Sequence, residues 1–504
     1  MINFNWKDLQ NGSDIRGVSI EGVSGEEVNL DGTRVEILGR SFYMWLSNKY
    51  SRDISVAVGM DSRISGPSLK QSFIKGFSAQ GGRVVDCGMA STPAMFMATR
   101  FPEAKVRSGV MLTASHLPFN RNGLKFFTVE GGLNKADISE ILEIASKTTF
   151  QDAVNPGPVA EVDLISRYAA DIVDQIRQKV DHPGNFQKPL EGLRIIVDAG
   201  NGSGGFFVDK ILVPLGADVN GSQFIEPDGM FPNHMPNPED EHAMHSICDA
   251  VQAHSADLGI IFDTDVDRAA VVDGDGRPVN RNALIALISA IILEEQPGST
   301  IVTDSITSEG LARFIEEKLG GKHHRFKRGY KNVINESIRL NDSGVDSWIA
   351  IETSGHAALK ENFFLDDGAY LVAKILIKVA QLAQKQESIS DLIQELQHPK
   401  ESVEYRLKIM DKDFGSYGNA VIGKLTAMSA LEVGWEPESN NFEGIRVRCT
   451  NENERGWFLL RMSLHDPVMP LNIESDSAGG SKIIAERLKS LLSAFDLLDC
   501  SSLG

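Results

Sequence analysis

Thr113-Ala114-Ser115-His116, followed by Asn122-Gly123-Leu124-Lys125, brings a hydroxyl, an imidazole and an ammonium into one short stretch. The apolar run Val110-Met111-Leu112 just before it reads as a buried strand, and a serine at the tip of such a strand can expose its hydroxyl to a cleft. Far downstream stands Asp263-Thr264-Asp265-Val266-Asp267-Arg268, after the strand-like Leu258-Gly259-Ile260-Ile261-Phe262. Carboxylates at alternate loop positions can converge on one cation, and oxygen ligands suit Mg²⁺ or Ca²⁺ rather than zinc. An EF-hand opens with the same spacing, but Arg268 stands at its turn glycine and Gly274 at its closing glutamate, so that reading fails. A hydroxyl, a carboxylate trio and basic residues together suggest metal-assisted phosphoryl transfer. Read alone, the acidic loop is either a cation site or a solvated strand end.

Other loops carry polar groups with two readings each. Ser115 beside His116 invites a hydrolase, but neighbours on a tight turn rarely face each other, and the glycine-flanked nucleophile elbow is missing. Glu352-Thr353-Ser354-Gly355-His356 follows the strand-like Trp348-Ile349-Ala350-Ile351 and either holds sugar hydroxyls or is an ordinary polar loop. Arg328-Gly329-Tyr330-Lys331 supplies cations or a solvated turn. Arg461, Ser463 and His465 alternate before Pro467, as a phosphate grip or as the polar side of a strand edge.

These loops need a scaffold of strands. Three apolar runs end alike: Ile54 to Val58 before Gly59-Met60-Asp61, Leu193 to Val197 before Asp198-Ala199-Gly200, and Ser299 to Thr303 before Asp304. Each precedes an expected helix, Ser68 to Gln80, Gly205 to Leu215 and Ser308 to Leu319, which points to three α/β units with parallel or mixed sheets. Leu164 to Val180 reads as an amphipathic connecting helix and Ala369 to Gln384 as a buried one. Beyond Pro399 the runs Val403 to Leu407, Ile445 to Arg448 and Trp457 to Met462 alternate as antiparallel strands do, and Ser481 to Phe495 is a last helix. A small C-terminal α+β domain covering the cleft is expected.

The chain has 504 residues, enough for roughly three or four domains, with an ordinary apolar fraction of 42%. A net charge of -19 argues against a general nucleic-acid or membrane-surface binder, though not against a local basic pocket. The cysteines Cys87, Cys248, Cys449 and Cys500 lack zinc spacing and read as free thiols of a reducing compartment. The start Met1-Ile2-Asn3-Phe4 is no secretory signal, so a cytoplasmic location is expected, or an organellar stroma if a transit peptide was removed. A monomer is the default, with a dimer as the alternative.

Taken together, the motifs resemble the α-D-phosphohexomutase superfamily, the phosphoglucomutase/phosphomannomutase group. The resemblance runs from Asp14-Ile15-Arg16-Gly17 through Val58 to Gly66, Thr113 to His116, Glu226 to Pro232, the aspartate loop, Glu352 to His356 and Asp366-Asp367-Gly368. It implies an α/β chain of four domains around a central cleft: three related mixed-sheet α/β/α units and a C-terminal α+β domain. The expected boundaries are 1–157 with the serine loop, 158–280 with the metal loop, 281–398 with the sugar loop and 399–504 with the phosphate loop. By resemblance, Ser115 would carry a phosphate, and Asp263, Asp265 and Asp267 would bind Mg²⁺ together with a Ser115 phosphate oxygen. Arg268 would stand beside the metal loop, and Arg16, His116 and Lys125 would support the transferring phosphate and proton movement. His356 would assist acid–base work, Lys331, Glu352 and Ser354 would meet the sugar, and Arg461, Ser463 and His465 would bind the idle phosphate.

The implied activity interconverts hexose 1-phosphate and hexose 6-phosphate of glucose and/or mannose through a hexose 1,6-bisphosphate, which would also serve as activator. The alternatives are a hexose-bisphosphate synthase or phosphatase and a noncatalytic sugar-phosphate-binding regulator. The chain departs from the family pattern at Ser13, Met60 and Thr264, at Ile351 and Thr353 in the sugar loop, and at Leu464-His465-Asp466, where Gly-Thr-Glu is usual. The last change puts a bulky leucine where a glycine allows close backbone approach.

Overall fold

Val56, Ala57 and Val58 are fully buried, and their strand, Ser55–Met60, lies inside a mixed sheet with neighbours on both edges. A strand covered on both faces reads as a continuous apolar run, which is what the sequence offers here. The computed structural model of the chain describes residues 4–50, 53–463 and 466–503. They form two units, Met1–Leu284 with Ser354–Asp391, and Ile285–Thr353 with Leu392–Gly504. The segment 281–398, expected as one domain, thus contributes to both.

In the first unit, Ser55–Met60 pairs in parallel with Arg83–Met89 and Ser108–Leu112. Arg121–Thr128 returns antiparallel beside Ser108–Leu112, and Asp14–Val18 runs antiparallel beyond it. The serine loop is therefore the link of a hairpin, with Lys125 opposite Met111 and Arg16 opposite Gly123. Helices Gly32–Lys49 and Gly66–Ala79 pack Leu38, Phe42, Phe73 and Phe77 into one core with Val56, Val58 and Val110. They cross so closely that a Cβ on Gly76 would lie 2.0 Å from Glu36 O, so only glycine fits there.

A second sheet in this unit pairs Ile195–Asp198 in parallel with Leu258–Phe262, which forms an antiparallel hairpin with Ala269–Asp273. The aspartate loop is the turn of that hairpin. Helix Glu241–His254, capped by the Asp240 side chain, packs Ala243, Ile247 and Val251 with Ile196, Ile261 and Val272. Helix Leu164–Val180 has the expected bounds and ends at left-handed Asp181. Helix Gly368–Ala383 starts at Asp367, whose side chain accepts the Tyr370 N–H, and is buried almost throughout.

Two expected helices are broken. In place of Gly205 to Leu215 stand a 3-10 turn, Ser203–Gly205, and a π turn, Val208–Leu212. A Cβ on Gly205 would lie 2.2 Å from Ile225 O, so this start is shaped by the neighbouring loop rather than by helix propensity. Ser308 to Leu319 divides into Glu309–Arg313 and a π turn, Phe314–Lys318.

The second unit has parallel strands Lys322–Arg325, Thr300–Thr303 and Ser347–Ile351, with helix Tyr330–Asp342 entered through Gly329 at φ 111°. Its other sheet is antiparallel, in the order Trp435–Pro437, Ile445–Cys449, Gly456–Leu460, Val468–Ser475, Glu401–Ile409, Leu498–Asp499. Helices Phe414–Ser429 and Gly480–Leu492 share a core with it. The first of these two helices is not expected from sequence, because Gly415, Gly418 and Gly423 lower its propensity. Among the described residues, no helix is long and apolar enough to cross a membrane.

Candidate active site

Ser115 lies in the hairpin link 113–120, 3% exposed, with φ 50°. Its N–H donates to Thr113 Oγ1 at 2.9 Å, and its hydroxyl donates to Asp263 Oδ2 at 3.0 Å. The serine loop and the aspartate loop thus meet at the Ser115 hydroxyl. His116 Nδ1 is 3.4 Å from the same Oγ, closer than neighbours on a turn were expected to come, because the left-handed backbone at Ser115 turns the side chain. The better partner of that nitrogen is Arg268 Nη2 at 2.7 Å. Arginine only donates, so Nδ1 accepts and the ring proton sits on Nε2. Burial, then the charges of Arg268 and Arg16, push His116 down to about 2, which leaves a neutral imidazole.

The trio Asp263, Asp265 and Asp267 is fully buried, with one oxygen of each within 4.8 Å of the others. Burial, with Asp267 and Asp265 beside it, raises Asp263 well above the usual carboxylate range. Burial acts the same way on Asp267, but Lys125, His356 and Arg268 outweigh it and hold that group low. Lys125 Nζ bonds Asp265 Oδ2 at 2.9 Å and also Asp267 Oδ2. Asp265 Oδ1 and Asp267 Oδ1 are buried and have no hydrogen-bond partner. An all-oxygen set with mutual repulsion and two orphaned oxygens fits a small divalent cation such as Mg²⁺. The turn that presents it is strained: Val266, β-branched, has φ 67°.

Arg268 joins the parts. Its Nε donates to Asp263 Oδ2 at 3.1 Å, Nη2 donates to Ser115 Oγ at 3.2 Å, and Nη1 donates to Asn237 Oδ1 at 3.1 Å. Thr92 binds Asp265 twice: its hydroxyl donates to Oδ2 at 2.5 Å, and its N–H donates to the backbone oxygen at 2.8 Å. Neither Thr92 nor Asn237 is expected from sequence. The signal for Thr92 is the Ser91-Thr92-Pro93 helix start, and that for Asn237 is the polar, proline-rich run after Glu226.

His356 stands across a backbone bridge from Arg268, its Nδ1 2.6 Å from Asp366 Oδ2 and 3.9 Å from Asp267 Oδ1. Burial opposes charge on this ring, but Asp366 and Asp267 overcome it and raise the group to about 9. Arg16 bonds Asp14 at 3.0 Å, and its buried Nε has no hydrogen-bond partner. Ser354 is buried in the same unit.

The second unit holds Lys331, Glu352, Arg461 and Ser463. Lys331 is in the first turn of Tyr330–Asp342, and buried Glu352 accepts the Gly329 N–H at the entry to that helix, at 2.5 Å. Arg461 is buried, with Glu443 3.9 Å from Nη1 and an Nε that makes no hydrogen bond. Burial and the nearby charge of Arg328 depress its basicity despite Glu443, an environment that an anion would relieve. Ser463 bonds Val468 O through its N–H at 2.9 Å. His465 lies outside the described residues.

Family models described as phosphoglucomutase/phosphomannomutase, alpha/beta/alpha domains I, II and III, match residues 7–152, 167–276 and 280–399. With the sheet-rich C-terminal region they make a four-domain α/β chain. A phosphoglucomutase of Neisseria meningitidis serogroup A is 30% identical over 95% of this chain and 96% of its own length. A phosphomannomutase/phosphoglucomutase of Pseudomonas putida is 31% identical over 84% of each. Among solved structures, a phosphoglucomutase/phosphomannomutase family protein from Burkholderia thailandensis aligns with a TM-score of 0.77 at 27% identity, covering 96% of both chains. Motifs, fold and relatives agree, and the chain belongs to the phosphoglucomutase/phosphomannomutase family of the α-D-phosphohexomutase superfamily, as a hexose phosphate mutase.

Proposed function

We propose that the mutase works through a phosphoserine at Ser115 and a hexose 1,6-bisphosphate, on glucose and/or mannose phosphates, with the bisphosphate as activator. The supporting observation is the 3.0 Å contact between Ser115 Oγ and the buried carboxylate trio. Phosphoryl transfer leaves little covalent work for a protein, so position and charge decide the rate. A free hydroxyl of the bound hexose phosphate attacks phosphorus, the bond from phosphorus to Ser115 Oγ breaks, and a bisphosphorylated sugar forms. The sugar then presents its other phosphate to the Ser115 hydroxyl, and the transfer reverses.

Arg268 donates to the serine oxygen as it leaves. His116, neutral and with Nδ1 engaged, positions rather than accepts a proton. His356, held as an imidazolium by Asp366 and Asp267, is assigned to the acid–base work as a proton donor, and the proton given up by the sugar hydroxyl ends on Ser115 Oγ. Asp263, Asp265 and Asp267, with an oxygen of the Ser115 phosphate, would hold Mg²⁺, which when bound neutralises charge on the phosphoryl oxygens. Arg16 and Lys125 are assigned to the reacting phosphate. Lys331, Glu352 and Ser354 are assigned to the sugar, and Arg461, Ser463 and His465 to the idle phosphate. The four domains, divided at 157, 280 and 398, stand as part of this reading.

A coupled assay of glucose 1-phosphate to glucose 6-phosphate, with and without bisphosphate, tests it. Ser115→Ala should lose turnover by ~10⁴-fold or more, as loss of a covalent nucleophile does, while the melt stays cooperative. Turnover like wild type in that variant refutes the serine role. Release of inorganic phosphate would mark a phosphatase, and binding without conversion a regulator.

A further inference from the structure

Arg63 is completely buried and stands in the Asp61-Ser62-Arg63 run, which the mechanism above does not use. Its side chain reaches beneath the serine loop. Nη1 donates to Pro118 O at 2.7 Å and Arg121 O at 2.9 Å, Nη2 donates to Ser115 O and Leu117 O, and Nε faces Asp61 Oδ2 at 3.3 Å. The two Nη groups each donate to two carbonyls, while Nε stands at ion-pair distance from Asp61 without a hydrogen bond. Asp61 anchors the base of the side chain: its Oδ1 accepts the Arg63 N–H at 3.0 Å, and its own N–H donates to Leu112 O at 3.0 Å, on the strand that leads into the loop. The Phe231 ring lies 5.2 Å from the guanidinium carbon.

Four carbonyls of one loop converge on this cation. They belong to residues that make neither helix nor strand, except Arg121 at the next strand's start, so without the guanidinium these acceptors lose a partner, the buried Ser115 O among them. The carbonyl of Ser115 itself is among them, and Ser115 has φ 50°, a conformation disfavoured for any residue with a Cβ. Such a conformation persists where its surroundings over-determine it. Lysine carries the same charge but only three donors on a flexible stem and cannot span four carbonyls in one plane.

We propose that Arg63 is the positioning residue of the phosphate-carrying serine: it holds the loop 115–121 by its carbonyls and so fixes the left-handed Ser115 with its hydroxyl toward Asp263. This rests on the assignment of Ser115 as carrier, and the test separates the two. Intact-mass measurement after exposure to glucose 1,6-bisphosphate reads the phosphate on wild-type protein, and its absence there would refute the carrier. Given that phosphate, Arg63→Lys should lower kcat by ~10²-fold, the scale of a misplaced reactive group, with KM for glucose 1-phosphate within about threefold of wild type. In Arg63→Ala, guanidinium ion at low concentration should restore part of kcat, and equal ammonium should not. A kcat like wild type in folded Arg63→Lys overturns the inference, even where the melting temperature falls. Should neither variant fold, ¹⁵N-arginine NMR of the wild-type protein decides. Separate, slowly exchanging Nη protons on Arg63 support the clamp, and a single averaged signal overturns it.

Discussion

Glu474 shows how a single residue departs from its solution chemistry away from the site. Burial raises it to about 7 from an ordinary 4.5, although Trp457 Nε1 donates to it at 2.8 Å and Arg446 and Arg325 are near. Between those values the folded chain keeps a proton that the unfolded chain has lost, so stability falls as pH rises through 4.5 to 7. Glu474→Gln keeps the acceptor for Trp457 and removes the charge. Its melting temperature should exceed wild type at pH 8, by an amount equivalent to on the order of 3 kcal/mol, and match it near pH 4.5. Equal melting temperatures at both pH values would contradict this. Such a shift is invisible in sequence, because nothing around Ile473-Glu474-Ser475 announces the burial. The same holds for Asp366, whose pairing with His356 depends on a turn between two short strands. Ser115 and the three aspartates were legible, since strand-end loops of fixed residue type carry them.

At the scale of elements, the serine loop and the aspartate loop are both links of antiparallel hairpins, 108–128 and 258–273, and the third support is a short helix. Helix Thr92–Met97 brings the Thr92 hydroxyl to Asp265 Oδ2. Thr92→Val keeps the shape and removes the donor, leaving a buried carboxylate oxygen short of a bond. Loss of an outer partner of a metal ligand typically costs ~10–100-fold in affinity, so calorimetric Mg²⁺ affinity should fall by about that factor, while Thr92→Ser stays near wild type. Unchanged affinity in Thr92→Val would remove Thr92 from the site. Strands and amphipathic helices were legible from their periodicity: Leu258–Phe262 and Leu164–Val180 have the expected bounds. The π turns Val208–Leu212 and Phe314–Lys318 were not, because a widened turn leaves the apolar pattern of a helix in place. Helix Phe414–Ser429 was hidden by its glycines, and at Gly418 the room goes to the Met462 side chain, whose Sδ a Cβ there would meet at 2.0 Å.

For the molecule as a whole, family membership rests on matches that run through nearly the full length. The first unit carries the hydroxyl, the carboxylates, Arg268 and the His356–Asp366 pair. The second carries Lys331, Glu352, Arg461 and Ser463. A mutase of this build needs one chemical link between its two half-reactions, and in the proposed mechanism that link is a phosphate on Ser115. The direct measurement is a pulse and chase. Protein is exposed to glucose 1,6-bisphosphate labelled with ³²P and freed of sugar; one portion is digested and mapped, and another is chased intact with unlabelled glucose 1-phosphate on the timescale of one turnover. The account predicts label on the peptide holding Ser115 and its transfer into sugar at a rate no slower than kcat. Label elsewhere, or label on Ser115 that remains on the protein through many turnovers, would contradict it.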